Sequence, residues 1–295
     1  MDKDLLKHFN ALLSAEDIRE GYLKAPFGWP GSKSRSIASI LPHLPYRESY
    51  VEPFGGTGVI LMNRNESPLE VFNDRFAGVT AFYRCIRDAS KCTRLMERLE
   101  LCLHSREEFV WSVKTWKNCE DDVERAARWY YSVQASFGCQ GRNFGRSTRT
   151  KSQAGSKLKN NLKLFPPLHA RLRNVQIENQ DWRLILKDYD YEAAVFYTDP
   201  PYYSYSKGQY ELEMKKEEHE ELLSRIFDMK AFVALSGYHN ALYDQSRWPW
   251  DHRYTWKVQV SQLGMAFTET NNLAGREGEN YRGTTEEVLW IKEAD

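Results

Sequence analysis

Ala194-Val195-Phe196-Tyr197-Thr198-Asp199-Pro200-Pro201-Tyr202 is the stretch on which the fold turns. An apolar run of strand length ends on an acid, two prolines and an aromatic ring. In open α/β sheets ligands bind beyond the carboxyl ends of the strands, and that is where this run would deliver Asp199. Proline lacks an N–H and fixes its own backbone, so Pro200 and Pro201 hold the turn stiff.

Outward from this run, further short apolar segments alternate with helical stretches, the pattern of a parallel sheet with crossover helices. The strands are expected at Ser49–Phe54, Glu70–Asn73, Val175–Asn179, Ala194–Thr198, Ala231–Ser236, Arg253–Val260 and Glu286–Lys292. No helix-length segment separates the last two, which predicts an antiparallel pair joined by the polar, glycine-rich loop Gly264–Thr284. Apolar spacing of three and four predicts helices at Lys3–Leu13, Phe76–Arg87, Asp122–Ala135 and Lys216–Phe227. The stretch Cys85–Arg173 breaks the strand rhythm and reads as a mainly helical insert in an α/β domain. The fold class is therefore α/β: a Rossmann-like, mostly parallel sheet with an antiparallel last strand, interrupted by a helical domain.

The chain has 295 residues, of which 41% are hydrophobic, enough for one large domain or two smaller ones. It has no run of about 18 apolar residues, and charged side chains punctuate Met1–Lys24, so a soluble, cytoplasmic protein without membrane span or signal peptide is expected. Five cysteines without a CxxC pair or a histidine at ligand spacing predict reduced thiols and no metal site. The formal net charge is zero, yet nine basic and no acidic residues lie between Arg142 and Arg173, while Glu211–Glu221 is acidic. Such a basic stretch is either a phosphate-contacting surface or a solvated loop.

Tyr50-Val51-Glu52-Pro53-Phe54-Gly55-Gly56-Thr57-Gly58 is a strand running into a glycine-rich turn, followed by the helix-like Val59–Asn63. Glycines there permit a sharp turn and a close ligand approach. The next strand ends on Asp74, 19 residues after Gly55, the spacing at which a carboxylate reaches ribose hydroxyls. The competing use of Asp74 is to cap the helix that begins near Phe76. With no GxGxxG pattern, a nucleoside carrying an amino-acid tail suits the turn as well as a dinucleotide.

At the other strand end, Asp199 and the Pro200 carbonyl can both accept hydrogen bonds from one amino group. Tyr202 offers a face for a planar base, a contact of about 1–3 kcal/mol. The lone pair of an aryl amine is delocalised into its ring; gripping both N–H groups pushes the nitrogen toward tetrahedral geometry and frees it. Four specified residues at frequencies near 5% match by chance in roughly one chain in several hundred, which disfavours a mere strand ending.

Taken in order, these motifs resemble those of the Dam-type, alpha-group DNA adenine-N6 methyltransferases. The opening motif of that family is matched by Phe27-Gly28-Trp29-Pro30-Gly31-Ser32-Lys33, its cofactor loop by Glu52–Gly58, and its catalytic DPPY motif by Asp199-Pro200-Pro201-Tyr202. The resemblance spans Phe27 to Lys292. It implies S-adenosylmethionine as cofactor and double-stranded DNA as substrate, with the target adenine flipped out of the helix. It implies a catalytic domain over 25–84 and 174–295, an inserted target-recognition domain over 85–173 and an N-terminal helical extension over 1–24.

The same resemblance implies roles residue by residue. Trp29 and Lys33 would lie beside the cofactor's methionine moiety and the flipped base, with Glu52, Phe54, Gly55, Gly56, Thr57 and Gly58 in the cofactor loop. Asp74 would hold the ribose, Asp181 the cofactor's adenine, and Asp199 would face both methyl donor and target amine. Gln140, Arg142, Asn143 and Arg146 are the candidates for reading base edges, since Arg suits guanine and Asn or Gln suits adenine, while Arg149 and Lys151 would contact phosphates.

Ser136–Asn143 departs from the Asn-Gly-Leu-type segment of GATC-methylating members, which leaves the target sequence unassigned. Two other readings compete. One is a silent DNA-binding regulator on a methyltransferase fold, against which the intact tetrad argues. The other is an amino-methyltransferase for a different substrate, against which the leading Asp199 argues. A monomer or weak dimer is expected.

Overall fold

The computed structural model describes residues 21–146, 158, 160–202, 214–260 and 283–295. The expected helix Lys3–Leu13, residues 264–282 of the glycine-rich loop, and the candidates Arg149 and Lys151 lie outside the described residues.

Among the described residues seven strands form one sheet in the order β3-β2-β1-β4-β5-β7-β6. They are β1 (Ser49–Glu52), β2 (Leu69–Asn73), β3 (Gln176–Glu178), β4 (Ala194–Thr198), β5 (Phe232–Tyr238), β6 (His252–Val260) and β7 (Gly283–Lys292). Strand β1 runs parallel to β2 and β4, and β4 parallel to β5, with Val51 beside both Val71 and Phe196 and Phe196 beside Val233. Strand β7 runs antiparallel to both neighbours, setting Leu235 beside Trp290 and Trp290 beside Arg253. The expected α/β class, with a mostly parallel sheet and a reversed last strand, is what is found. Strand β1 stops at Glu52 rather than Phe54 because Pro53 has no N–H to donate to a neighbouring strand.

Beside the four-residue helix Ile37–Ile40, the main helices among the described residues are α1 (Val59–Asn63), α2 (Ala77–Arg87), α3 (Ala89–Glu100), α4 (Arg106–Thr115), α5 (Asp122–Gln134), α6 (Phe165–Leu172), α7 (Trp182–Asp188) and α8 (Lys216–Asp228). Four begin on a side-chain cap: Asp88 accepts from the Lys91 N–H at 2.9 Å, Ser105 from Glu108 at 3.3 Å, Asp121 from Glu124 at 2.8 Å, and Asp181 from Arg183 at 3.0 Å. Expectation missed α3, α4, α6 and α7. Helix α6 carries Pro166 and Pro167 in its first turn, where a missing N–H costs nothing.

The chain divides into two compact units, one drawn from residues 1–34, 56–64 and 76–177, the other from 35–55, 65–75 and 178–295. The first unit is built on an aromatic core. Phe27 packs edge-on against Phe82 at 5.4 Å and Trp129 at 5.1 Å, Phe82 stacks on Tyr130, and Tyr130 donates to the Pro26 carbonyl at 2.7 Å. Helices α2 and α5 approach closely at Gly78, where a Cβ would sit 2.4 Å from the Trp129 ring. Burial pushes the Cys85 and Cys92 thiols up to about 12, so both are inert packing groups. In the second unit Val51, Phe196, Val233 and Leu235 pack with Ile185 and Leu186 of α7 and Leu222, Leu223 and Ile226 of α8. Each such side chain contributes about 1.5–3 kcal/mol of hydrophobic stabilisation, which holds the strand ends in register.

Among the described residues no helix is long and apolar enough to cross a membrane, and no group of three potential metal ligands occurs.

Candidate active site

Strand β4 is buried along its whole length and ends on half-buried Asp199. The Ser236 hydroxyl, buried on β5, donates to Asp199 Oδ1 at 2.9 Å, and the Tyr197 hydroxyl lies 3.0 Å from Ser236 Oγ. Serine has one proton, so Tyr197 is the donor in the second bond. Burial, and then the negative charge of Asp199, push the Tyr197 phenol well above its ordinary value, so it keeps the proton that bond requires. A relay Tyr197→Ser236→Asp199 thus fixes one carboxylate oxygen. Three residues on, Tyr202 donates to Glu287 Oε1 on β7 at 2.7 Å, and its ring meets the edge of Tyr238 at 4.5 Å.

The neighbouring strand ends carry the other acids. Glu52 is buried at the end of β1 and accepts from the Tyr50 hydroxyl at 2.7 Å. Past it, the Gly55 N–H donates to the Asn73 carbonyl at 2.7 Å. A Cβ on Gly55 would lie 2.1 Å from the Phe72 ring, so glycine is required there by packing inside the protein as well as by any ligand. Fully buried Asn73 joins three segments: its amide donates to Pro53 O at 2.8 Å and Gln180 O at 3.2 Å, and its side-chain oxygen accepts from the Gln180 N–H at 2.8 Å. Asp74 follows, half-buried, its carbonyl held by Asn179 at 2.7 Å. The N-cap position of α2 is Phe76, two residues after Asp74.

Asp181 is committed in another way. It caps α7, accepting from the Arg183 N–H at 3.0 Å, and pairs with the Arg183 guanidinium at 3.1 Å and that of Arg75 at 3.5 Å. Because β2, β1 and β4 are adjacent and parallel, Asp74, Glu52 and Asp199 stand at one edge of the sheet, and the bonds of Asn73 and Asn179 bring Asp181 to it. Sequence reading missed Ser236, Asn73 and Glu287. Asn73 and Ser236 have a faint signal, as polar residues closing or interrupting an apolar strand, and Glu287, in the polar half of β7, has none.

Trp29, Lys33 and Gly56–Gly58 belong to the first unit. Trp29 is half-buried, 5.6 Å from the Phe76 ring and 6.1 Å from that of Trp129. Lys33 is 4% exposed and donates to Gly31 O at 2.8 Å, so it is no solvated surface lysine. Thr57 is held by Ser32 at 3.2 Å and through its carbonyl by Tyr83 at 2.6 Å. Gly56 and Gly58 take φ of 51° and 61°, which the turn into α1 needs.

The base-reading candidates sit on a closed loop of the same unit. Ser136 and Phe144 form an isolated bridge, Gly145 donates to Ala135 O at 2.8 Å and Phe137 to Asn143 O at 2.7 Å. Arg142, Asn143 and Arg146 are exposed and Gln140 is half-buried. His104 stacks on Phe144 at 4.6 Å and the Arg106 guanidinium lies 4.9 Å from the same ring. The basic stretch does not form a single exposed face, however: Arg171 is half-buried and donates to Leu61 O at 2.6 Å.

No curated protein matches the chain. The family model of the D12 class N6 adenine-specific DNA methyltransferases matches residues 29–249, a span that holds the glycine-rich turn, the helical segment and the Asp199 tetrad in that order. This match covers most of the chain, and the acids at adjacent strand ends accord with it: the protein belongs to the D12 class of N6 adenine-specific DNA methyltransferases and methylates the N6 amino group of adenine in DNA.

Proposed function

We propose that the reaction proceeds on an adenine flipped out of a short specific sequence of duplex DNA, with S-adenosylmethionine as methyl donor. The observation that carries this reading is the relay that holds Asp199, at the end of a buried strand and beside two prolines. Asp199 and the Pro200 carbonyl would accept both N–H groups of the amine. As the new N–C bond forms the nitrogen gains positive charge, and a carboxylate already held in place stabilises it without reorganising. Pro201 keeps the turn rigid and Tyr202 would stack on the base.

The donor, when bound, supplies a methyl group on positively charged sulfur. The residues present suit it: Glu52 and Asp74 are acceptors of the kind that a ribose diol and an ammonium group require. For Asp74 the support is its place at the end of β2, 19 residues after Gly55. Asp181 would accept from the donor's adenine while capping α7, since a carboxylate has lone pairs for both. For Trp29, Lys33, Phe54 and the glycines the support is the resemblance of their motifs.

Flipping costs a few kcal/mol of unstacking, which phosphate contacts must offset. Arg142, Asn143, Arg146 and half-buried Gln140 are placed on a closed loop where they can meet DNA, and Arg149 and Lys151 follow them in the sequence. The test is sequencing of modified bases in DNA from cells expressing the wild type or Asp199→Ala. The expected result is N6-methyladenine at one recurring short sequence, absent with the variant. Methylated cytosine, or methyladenine persisting in the variant, would overturn the reading.

A further inference from the structure

We infer that Glu287, which lies outside the tetrad, is a positioning residue for methyl transfer: it fixes the plane of the Tyr202 ring on which the target base would rest. This rests on the proposed stacking role of Tyr202.

The register of the antiparallel ladder sets the geometry. Glu287 is paired across the sheet with Tyr238 of β5 on one side and Trp256 of β6 on the other, so three side chains form one rank. Every member of the rank is tied to Tyr202 or to Glu287. The Tyr202 hydroxyl donates to Glu287 Oε1 at 2.7 Å, and the Tyr238 ring meets that of Tyr202 at 64°. The Ser36 hydroxyl donates to Glu287 Oε2 at 2.5 Å and in turn accepts from the Trp256 indole N–H at 3.1 Å. Both carboxylate oxygens are thereby engaged, and Glu287 is 5% and Ser36 1% exposed.

Hydroxyl-to-carboxylate bonds of this length belong to the strong, charge-assisted class, and they set direction as well as distance. A buried acid is costly unless it is bonded, so Glu287, buried in β7 while Thr284 and Glu286 before it are exposed, needs a use. Here the use is visible. The prolines fix the backbone before Tyr202, but χ1 and χ2 of the ring remain to be set; the bond at its hydroxyl and the edge of Tyr238 set them. That explains why the position carries tyrosine: phenylalanine has the same stacking face and no hydroxyl for Glu287.

The test compares Tyr202→Phe, Tyr202→Ala, Glu287→Gln and Glu287→Leu in the full-length protein. It uses single-turnover methylation of unmethylated plasmid DNA, with thermal melting as a readout of folding. Tyr202→Phe should lose about ten- to a hundredfold in single-turnover rate, the size expected when a reacting group is misplaced by up to an ångström. Its melting temperature and its KM for DNA should hardly change. Glu287→Leu should match that loss, Glu287→Gln should recover most of the rate because its amide oxygen still accepts from Tyr202, and Tyr202→Phe combined with Glu287→Leu should be no slower than the slower single variant.

A Tyr202→Phe enzyme with wild-type rate, while Tyr202→Ala is crippled, would overturn the role of Glu287 and leave the stacking reading standing. A fully active Tyr202→Ala would overturn the stacking reading itself. Since Tyr202→Phe removes only one oxygen from a half-buried ring, the comparison survives even if Glu287→Leu fails to fold.

Discussion

The carboxyl edge of the sheet and the loop of residues 136–146 are held in opposite ways. At the sheet edge each acid is held by a partner from the surrounding fold: Ser236 on Asp199, Asn179 on the Asp74 carbonyl, Tyr50 against Glu52. In the loop the backbone is closed at its base by main-chain bonds, while the side chains of Arg142, Asn143 and Arg146 are exposed to solvent. One arrangement suits chemistry, which needs reacting groups fixed to within about half an ångström. The other suits recognition of a large polyanion, where side chains that adjust on binding are tolerated.

Removing the acid at the sheet edge is the harshest way to test that contrast. Asp199→Ala should lower single-turnover methylation by about a thousandfold or more, the scale on which preorganised electrostatic groups act. DNA affinity, measured by fluorescence anisotropy, should stay within about threefold of wild type, because the loop is untouched. Abolished DNA binding in this variant would show that the two regions are not separable.

Next in size is Gly55→Ala. The added Cβ would lie 2.1 Å from the ring of Phe72, itself 1% exposed, so the ring has nowhere to turn. A loss of about 1–3 kcal/mol in stability is expected, read by denaturant unfolding. Coupling it with Phe72→Val should restore most of that loss. If stability holds and only donor binding weakens, the glycine serves ligand approach instead of packing.

Ser236→Ala takes away the bond to Asp199 while leaving the acid. We expect about tenfold slower single-turnover methylation with an unchanged KM for DNA. The stranded Tyr197 hydroxyl should cost a further 1–3 kcal/mol or so of stability. An unaltered rate would mean that the prolines alone orient Asp199.

These partners also mark the limit of what was legible in the sequence. The run Ala194–Thr198 and its ending on Asp199 could be read because a buried strand is a continuous apolar word and the tetrad follows it without a gap. The buried strands β1, β2 and β5 were legible for the same reason, while β3 and the largely exposed β6 were read as short runs rich in strand-forming residues; the reversal of β7 followed from the missing crossover helix. Helix α3 was legible in principle, with Cys92, Leu95, Met96 and Leu99 buried behind an Asp88 cap, and went unread inside a long polar insert. Helix α7 spans seven residues, too few for periodicity to separate it from a loop.

Ser236, Asn73 and Glu287 were not legible because their partners are 37, 107 and 85 residues away, and only strand register brings them together. Gly55 was read as a ligand-side glycine because Phe72 is equally invisible from the turn.

The smallest effect separates the two uses of basic residues within Arg142–Arg173. Arg142 and Arg146 are exposed, so replacing both by alanine should leave stability within about 0.5 kcal/mol. Every DNA phosphate that the double variant no longer neutralises should flatten the slope of log affinity against log salt by about 0.9. Arg171 lies in the same charge-rich stretch but is half-buried, with its guanidinium on the Leu61 carbonyl of α1 at 2.6 Å. Arg171→Ala should therefore destabilise the protein by about 1–3 kcal/mol, leaving that carbonyl without its charged donor, and should leave the salt slope as it was. Salt titrations of DNA affinity beside melting curves distinguish the cases: a flattened slope for Arg171→Ala, or an unchanged one for the loop pair, would mean that sequence clustering of charge, and not exposure on the loop, decides which residues meet the phosphates.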